Sequence, residues 1–326
     1  MDLILATKDG NDICSLVYSK SDFSIGNTND FEITISLADW NSNIKVGCRV
    51  YSPKSEIGGI IGGIKTDTAT DTITLMGYTW RGLLKKKVIS PPANEAYKKV
   101  SGDLNDILSQ IIGNNFTDII RAKQSKSGIS ITYQFDRYTD MLSGFSKMLL
   151  QKNYKLKIEY IQQEQGAAGF VEVSAVPIFD YSKKIELSQD SQVNFISEQI
   201  NNACNHLIAL GKGELTDREV IHLYADRNGV VSNVQTFFGI DEVCETYENV
   251  NSENLKEDAL KEFDNRIAKS TFKMDIASLG IDVDIGDIVG GRDYITGISA
   301  KKPLYEKIIT TENGLTSIQY NLEGNE

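Results

Sequence analysis

The sequence predicts an α+β fold that is mostly β, with two β-barrel-like domains flanking a small α+β insert. Three observations lead to this prediction. Apolar residues alternate with a period of two near both ends of the 326-residue chain, as in strands that bury one face. After Pro91-Pro92 the period lengthens to about 3.6, as in helices. One long helical pattern also interrupts the strands near the C-terminus, so we divide the chain into domains 1–90, 91–192 and 193–326.

A hairpin organises the first domain. Strand-like runs over Ile57–Thr66 and Thr72–Thr79 flank the polar turn Asp67–Asp71, whose short side chains can hydrogen-bond their own backbone. Two glycine pairs, Gly58-Gly59 and Gly62-Gly63, interrupt the first run. Glycines inside a strand mark bulges or close backbone approach. We therefore expect a bent hairpin, which suits a small barrel.

Four further strands complete the predicted first domain. The chain opens with a hairpin of Leu3–Ala6 and Ile13–Tyr18. Phe31–Leu37 alternates apolar and polar residues, and Gly47–Ser52 is another short strand. Six short strands separated by turn signals favour a barrel or a sandwich.

The insert begins at Pro91-Pro92, where the prolines break the chain. A first helix is predicted to be capped by Ser101 and to stop at Gly113, and a second runs from about Thr139 to Lys152. The other predicted elements are the strands Gly128–Phe135, Tyr154–Ile161 and Phe170–Pro177, with the loop Gln162–Gly169 as a hairpin tip.

The last domain is predicted to be a second β-rich body with one helix packed on it. Asn228-Gly229 suits a type I′ turn and predicts a hairpin of Glu219–Asp226 with Val230–Thr236. A helix is predicted from Ser252 to about Lys269. Its buried face is expected to carry Leu255, Ala259, Leu260, Phe263 and Ile267. The other predicted strands are Asn205–Gly211, Thr271–Ala277, Asp287–Gly290, Tyr294–Ala300, Tyr305–Thr311 and Leu315–Leu322.

Charge is distributed unevenly along the chain. The net charge of −11 divides into −3 for residues 1–84, +7 for residues 85–157 and −15 for residues 158–326. The acidic part repels phosphate backbones, so sequence-specific nucleic-acid binding is not expected. No apolar run approaches the ~20 residues of a membrane-spanning helix, so membrane insertion is not expected. Met1-Asp2 begins without a secretory signal, and we expect cytoplasmic synthesis with four reduced cysteines.

No stretch predicts a catalytic, cofactor or metal site. The chain has two histidines, His206 and His222. His206 is two residues from Cys204, so an extended chain would point both to one side. That pair supplies at most two of the four ligands of a structural zinc site. Asp282–Asp287 is only faintly similar to a calcium loop, and a strand followed by a turn explains it better.

Trp80-Arg81 ends the central hairpin and has two interpretations. In the first, its polar groups fix a strand-end corner. In the second, the pair is exposed and anchors an interface, because Trp and Arg dominate interface hot spots. Trp80 and Arg81 are therefore our candidate interface residues.

Four segments together carry a resemblance to a known family. They are GGIIGGIKTDTATDTITLMGYTWRGLL (58–84), HLIALGKGELTDREVIHLYADRNG (206–229), QTFFGIDE (235–242) and DIGDIVGGRDYITGI (284–298). In this order they resemble the baseplate hub proteins of contractile phage tails and phage-tail-like bacteriocins, in particular the XkdQ-like hub family. None of the four segments is a catalytic motif.

The resemblance implies a structural protein without enzymatic activity or cofactor. Family hubs carry two similar β-barrel tube domains per chain, so a homotrimer forms a pseudo-sixfold ring. Such a ring adapts the sixfold tail tube to the threefold spike or tail-tip proteins. The implied partners are the tail tube protein, the spike or tail-tip protein, other baseplate proteins and a tape-measure protein in the channel. The implied location is the tail baseplate of a phage or tailocin, after synthesis in the bacterial cytoplasm.

Two other functions stay open. One is a tail-associated peptidoglycan hydrolase with acids of the insert as catalysts. The other is a carbohydrate-binding tail module that uses Trp40 or Trp80. An enzyme would show a deep cleft with convergent polar groups, whereas a hub would show large flat interfaces.

The charge distribution also predicts an arrangement in the ring. A basic channel would hold DNA through phosphate contacts and slow its transit. We therefore expect an acidic inner wall drawn from the two β-rich bodies. The basic region Lys85–Lys157 is expected at the periphery.

Overall fold

The computed structural model describes residues 1–163, 167–183, 186–187, 194–199, 203–227, 229–267, 270–275, 283–292, 295 and 299–322. The chain forms two compact units. Unit 1 comprises Met1–Ile185, Asp275–Val289 and Pro303–Tyr320, and unit 2 comprises Glu186–Met274, Gly290–Lys302 and Asn321–Glu326. The described part is mostly β with four α-helices, which confirms the predicted class. The division into domains 1–90, 91–192 and 193–326 stays a prediction.

Unit 1 begins with an antiparallel sheet. Its elements are β1 (Ile4–Ala6), β2 (Asp12–Ser15), β3 (Lys20–Ile25), β4 (Asp30–Ser36), β5 (Arg49–Tyr51), β6 (Gly58–Asp67) and β7 (Thr72–Thr79), followed by the short helix α1 (Trp80–Lys85). The strand order is β3-β4-β7-β6-β5-β1-β2. All six predicted strands are present, and β3 is a seventh. The path does not close on itself among the described residues, so barrel closure stays a prediction.

The central hairpin has the predicted geometry. The β6–β7 register shifts between Ile61 and Gly63, which is the bulge expected at the second glycine pair. A Cβ atom on Gly59 would lie 2.7 Å from the ring of Phe31, and one on Gly77 would lie 2.9 Å from it. The absence of a side chain at these glycines therefore lets the Phe31 ring lie against the strands. This is the kind of close approach that glycines inside a strand predict.

The insert contains two helices and five short strands. They are β8 (Lys99–Asp103), α2 (Leu104–Ile112), β9 (Ile120–Ala122), β10 (Ser130–Gln134), α3 (Met141–Leu150), β11 (Tyr154–Ile161) and β12 (Phe170–Pro177). β8 pairs with β10, and β12 lies between β11 and β9 and pairs with both. The predicted helices and strands are confirmed, whereas β8 and β9 were not predicted. Ser101 does not cap α2, because it lies inside β8 and Asp103 is the cap.

Asp103 joins the start of α2 to the next loop. Its carboxylate accepts hydrogen bonds from the backbone of Asn105 (2.9 Å), Ser127 (2.9 Å) and Gly128 (2.8 Å), and from the Ser127 hydroxyl at 3.0 Å. Burial by itself would raise the pKa of Asp103, but these donors outweigh it and hold the pKa below its ordinary value. A single carboxylate thus fixes both the helix and the 125–128 loop.

The C-terminal part of the chain returns to unit 1. The last strands are β21 (Ser299–Glu312) and β22 (Leu315–Leu322), and β21 pairs with β3. β21 covers the predicted strand 305–311 and the end of the one predicted over 294–300, of which residues 294 and 296–298 lie outside the described residues. Asp284–Asp287 forms the expected turn, with the Asp287 N–H donating to the Asp284 carbonyl at 3.0 Å. The buried Lys155 ammonium lies 2.6 Å from Asp287 and anchors this turn to β11.

Unit 2 contains a four-stranded sheet with one helix. Its elements are β13 (Glu186–Leu187), β14 (Asn194–Gln199), β15 (His206–Leu210), β16 (Val220–Ala225), β17 (Val231–Ser232), β18 (Cys244–Glu248), α4 (Leu255–Asp264) and β19 (Ser270–Asp275), with β20 (Ile288–Arg292) at its boundary. The sheet order is β17-β16-β15-β18. The predicted β16–β17 hairpin is confirmed, although Asn228 lies outside the described residues.

The helix α4 covers one face of this sheet. Leu255, Ala259 and Phe263 pack on Leu207 and Leu223 of the strands. The helix is shorter than predicted, and Leu260 is exposed instead of buried. No helix in the described part of the chain is long and apolar enough to cross a membrane.

We expect Asp103→Asn to lower the free energy of unfolding by about 1–3 kcal/mol at neutral pH, because an amide offers one acceptor oxygen where the carboxylate offers two. The folded-state pKa is lowered, so the carboxylate stabilises the fold at neutral pH and that stabilisation is lost as the pH falls through the folded pKa. The difference between wild type and variant should therefore shrink once the pH falls below 3.8, the ordinary pKa. Urea unfolding across a pH series measures both effects.

Asp106→Asn is the matched control for this prediction. Asp106 lies in the first turn of α2, is exposed, and pairs with Lys126 only at 4.0 Å, so we expect little change. Equal losses for the two variants would contradict the capping role of Asp103.

Candidate functional site

Trp80 is buried inside unit 1. It begins α1, where Thr79 caps the helix by accepting from Gly82 N–H, and its side chain is 0% exposed. Its ring stacks on Tyr160 of β11 with a centroid distance of 5.6 Å, and Tyr160 stacks on Tyr51 of β5 at 3.7 Å. We call Tyr51, Trp80 and Tyr160 the aromatic stack. Trp80 therefore has no free face for a sugar or for another chain.

Arg81 is also buried, and it connects the first sheet to the insert. Its guanidinium pairs with the Glu56 carboxylate and donates to the Leu156 carbonyl at 3.1 Å. Trp80 and Arg81 thus hold a corner within unit 1, as in the first interpretation of this pair. The exposure that an interface anchor requires is missing at both residues. Of the two tryptophans, Trp40 keeps an exposed side chain, at 39%.

Four acids of the insert have structural partners. Asp103 holds the backbone described above, and Asp140 caps α3 by accepting from Ser143 N–H at 2.9 Å. The Asp136 carboxylate lies 2.6 Å from the Lys147 ammonium, and the Asp118 carboxylate lies 3.9 Å from the Arg121 guanidinium. These contacts are those of helix caps and surface ion pairs.

Both histidines meet on the face of the four-stranded sheet opposite to α4. His206 Nδ1 lies 2.6 Å from a carboxylate oxygen of Glu242, and His206 Nε2 lies 2.8 Å from His222 Nδ1. The Tyr224 ring stacks on His206 with a centroid distance of 4.4 Å. His206, Glu242 and Cys244 place their ligating atoms within 4.8 Å of one another. These three residues form a candidate metal-ligating cluster that the sequence analysis does not identify.

The cysteine at this cluster is not the one that the sequence indicated. Cys204 precedes β15, is buried against α4, and donates its thiol to the His206 carbonyl at 3.2 Å. Cys244 instead lies directly opposite His206, because β15 and β18 pair in parallel. Desolvation raises the pKa of the Cys244 thiol, and the charges of Glu242 and Glu245 raise it further. The parallel register of β15 and β18 brings His206 and Cys244 together. The spacing of these two residues in the sequence does not indicate this contact.

The segment between β17 and β18 exposes large apolar side chains. Val234, Phe238 and Ile240 are 68%, 66% and 100% exposed, and we call these three residues the apolar loop patch. The backbone that carries them is fixed, since Thr236 donates to the Ala225 carbonyl at 3.1 Å and Asn205 donates to the Asp241 carbonyl at 2.7 Å. Apolar side chains held outward on a fixed backbone are typical of a protein interface.

Comparisons with known proteins place the fold. No protein-family model matches the sequence, and a search of curated proteins gives no significant match. The 43 kDa tail protein of prophage MuSo2 from Shewanella oneidensis is similar over 99% of this chain and 98% of its own, with a TM-score of 0.59 and 11% identity. A tail protein from Neisseria meningitidis MC58 is similar over 99% of this chain and 96% of its own, with a TM-score of 0.51 and 14% identity. A chain of the p2 virion baseplate in its activated conformation is similar over 100% of this chain and 99% of its own, with a TM-score of 0.50 and 10% identity. This chain therefore has the fold of phage tail and baseplate proteins.

Proposed function

We propose that this chain is a structural hub of a contractile-tail baseplate. In this proposal three copies form a ring that adapts the sixfold tail tube to the threefold spike or tail-tip proteins. The observation that carries the proposal is the similarity to a phage tail protein over 99% of this chain. The resemblance of four sequence segments to the hub family supports the finer assignment.

Two features supply surfaces for ring closure. In the described part of the chain, β2 hydrogen-bonds only to β1, and β18 only to β15. β2 thus leaves one strand edge free to pair with a neighbouring copy, and ring closure removes such edges. On β18 the Thr246 carbonyl already accepts from the Arg266 side chain at 3.2 Å. The apolar loop patch supplies the hydrophobic contact that strand pairing lacks. A ring of this kind would bury the exposed Phe238 and Ile240.

The role is proposed to be non-enzymatic. The insert acids that a hydrolase would need cap helices or pair with lysine and arginine. The remaining proposed partners are other baseplate proteins and a tape-measure protein within the channel. The net charges of −3 and −15 outside the basic region support an acidic inner wall, and the +7 region Lys85–Lys157 is proposed to lie outside it.

We expect three copies per baseplate in a single ring, with Asp and Glu dominating the inner wall. Cryo-electron microscopy of purified particles, with symmetry determined separately at each layer, measures copy number and lumen charge together. A layer with one or six copies would contradict the trimer. A lumen lined mainly by lysine and arginine, or an insert facing the axis, would contradict the proposed arrangement.

We expect Ile240→Asp to abolish incorporation into particles and to leave the isolated chain stable within about 0.5 kcal/mol, because the side chain is fully exposed. The loss follows from placing a charge in an apolar contact. Quantitative blotting of purified particles against the total cellular chain measures incorporation.

Leu215→Asp is the matched control, because Leu215 is 94% exposed in unit 2 but lies outside the apolar loop patch. We expect this variant to be incorporated normally. If Ile240→Asp were incorporated as well as wild type, the patch would not be an assembly surface.

A further inference from the structure

Unit 2 contains a set of side chains that the structural role does not use. His206, Glu242 and Cys244 offer one nitrogen, one oxygen and one sulfur atom, all within 4.8 Å of one another. We propose that these three residues bind a zinc ion, with His222 positioning His206. The proposal concerns the isolated chain and does not depend on assembly.

Strand pairing builds the site. The parallel β15–β18 register places Cys244 opposite His206. Glu242 lies two residues before Cys244 in extended backbone, so its side chain projects to the same side of the strand. Asn205 fixes the approach to β18 from both sides of Glu242, since it donates to the Asp241 carbonyl at 2.7 Å and accepts from Val243 N–H at 2.9 Å. All three ligands are therefore held by backbone that is itself hydrogen-bonded.

His222 completes the arrangement behind the ligands. When His206 Nδ1 binds a metal, its Nε2 carries the proton and donates it to His222 Nδ1, which lies 2.8 Å away. A ligating histidine is characteristically oriented by such a hydrogen bond from its other ring nitrogen. Stacking on Tyr224 at 4.4 Å limits rotation of the same ring. Thus His206 is already aimed with Nδ1 toward Glu242 and Cys244.

The ligand set selects zinc over the common alkaline-earth ions. Calcium and magnesium prefer oxygen ligands, whereas one imidazole, one carboxylate and one thiolate suit zinc. His206 Nδ1 and Glu242 Oε1 are 2.6 Å apart. Ligands on a tetrahedral zinc ion lie roughly 3.4 Å apart, from bond lengths of about 2.0–2.2 Å. A zinc ion would therefore take the place of the proton between His206 Nδ1 and Glu242 Oε1 once these two atoms move apart by less than about 1 Å.

Three protein ligands leave one coordination position for water. Because Glu242 ends the segment that carries the apolar loop patch, the ion would tie the end of that segment to β15. The competing explanation is that the His206 to Glu242 hydrogen bond satisfies both groups without any metal.

Cobalt titration of the purified full chain, stripped first with chelator, distinguishes these explanations. We expect one equivalent of Co²⁺ to give ligand-field bands of a tetrahedral site and a thiolate-to-cobalt charge-transfer band, both removed by adding Zn²⁺. Cys244→Ser should lose the charge-transfer band and weaken binding at least tenfold. His222→Asn should keep that band and bind about 10–100-fold more weakly, as loss of a hydrogen-bond partner to a ligand does.

Cys14→Ser is the matched control, because Cys14 is the other exposed cysteine and lies in β2 of unit 1. It should leave both bands unchanged. Far-ultraviolet circular dichroism verifies that each variant is folded, and Cys244 is exposed enough for serine to be tolerated. Absence of stoichiometric Co²⁺ binding by the wild-type chain would overturn the proposal. A charge-transfer band that survives Cys244→Ser, or that Cys14→Ser removes, would overturn it as well.

Discussion

The aromatic stack is the interaction on which unit 1 depends. Tyr51 comes from the first sheet, Trp80 from the helix that follows it, and Tyr160 from the insert. All three side chains are 0% exposed. Aromatic side chains of this size bury about 150–250 Å² each and dominate the energetics of the contacts they make. Tyr51 and Trp80 therefore belong to the hydrophobic cluster of the insert, whereas the other face of the first sheet builds a separate core around Phe23, Ile33 and Leu75.

Polar contacts around the stack fix its geometry. The Arg49 guanidinium donates to the Gly169 carbonyl at 2.6 Å and to the Lys8 carbonyl at 2.9 Å. A Cβ atom on Gly169 would lie 2.5 Å from the Tyr160 hydroxyl, so only glycine allows the β11–β12 hairpin to cover this ring. Together with the Arg81 and Glu56 pair, these contacts connect the insert to the first sheet by directed bonds as well as by apolar packing.

The elements that can be predicted from the sequence are those set by neighbouring residues along the chain. The β6–β7 hairpin with its bulge, the helices α2 and α3, and the β11–β12 hairpin all follow from periodicity, glycines and turn residues. The strand β3 was missed because Lys20–Ile25 has only two large apolar residues, Phe23 and Ile25, and its stability comes from pairing with β4 and β21. The strand β18 was missed because it is polar and exposed.

The sites depend on contacts that the sequence does not encode locally. The sequence leaves both interpretations of Trp80 and Arg81 open because their burial comes from β11, some 75 positions later. Likewise the partnership of His206 with Cys244 follows from a parallel register across the sheet, whereas the neighbouring Cys204 faces α4. The exposure of Phe238 and Ile240 does not follow from residue type, because large apolar residues are most often buried.

The central physical claim is that the first sheet and the insert form one cooperative body through the aromatic stack. Native-state hydrogen exchange on the full chain measures it directly, with amides of β5 and β11 as reporters. The account predicts that Tyr160→Ala lowers the opening free energy of both strands together, by about 3–5 kcal/mol. Tyr133→Ala, an aromatic change in the insert outside the stack, should lower the opening free energy of β5 and β11 by equal but smaller amounts, because both strands belong to the same cooperative body. A Tyr160→Ala chain in which β11 loses protection and β5 keeps it would contradict the claim.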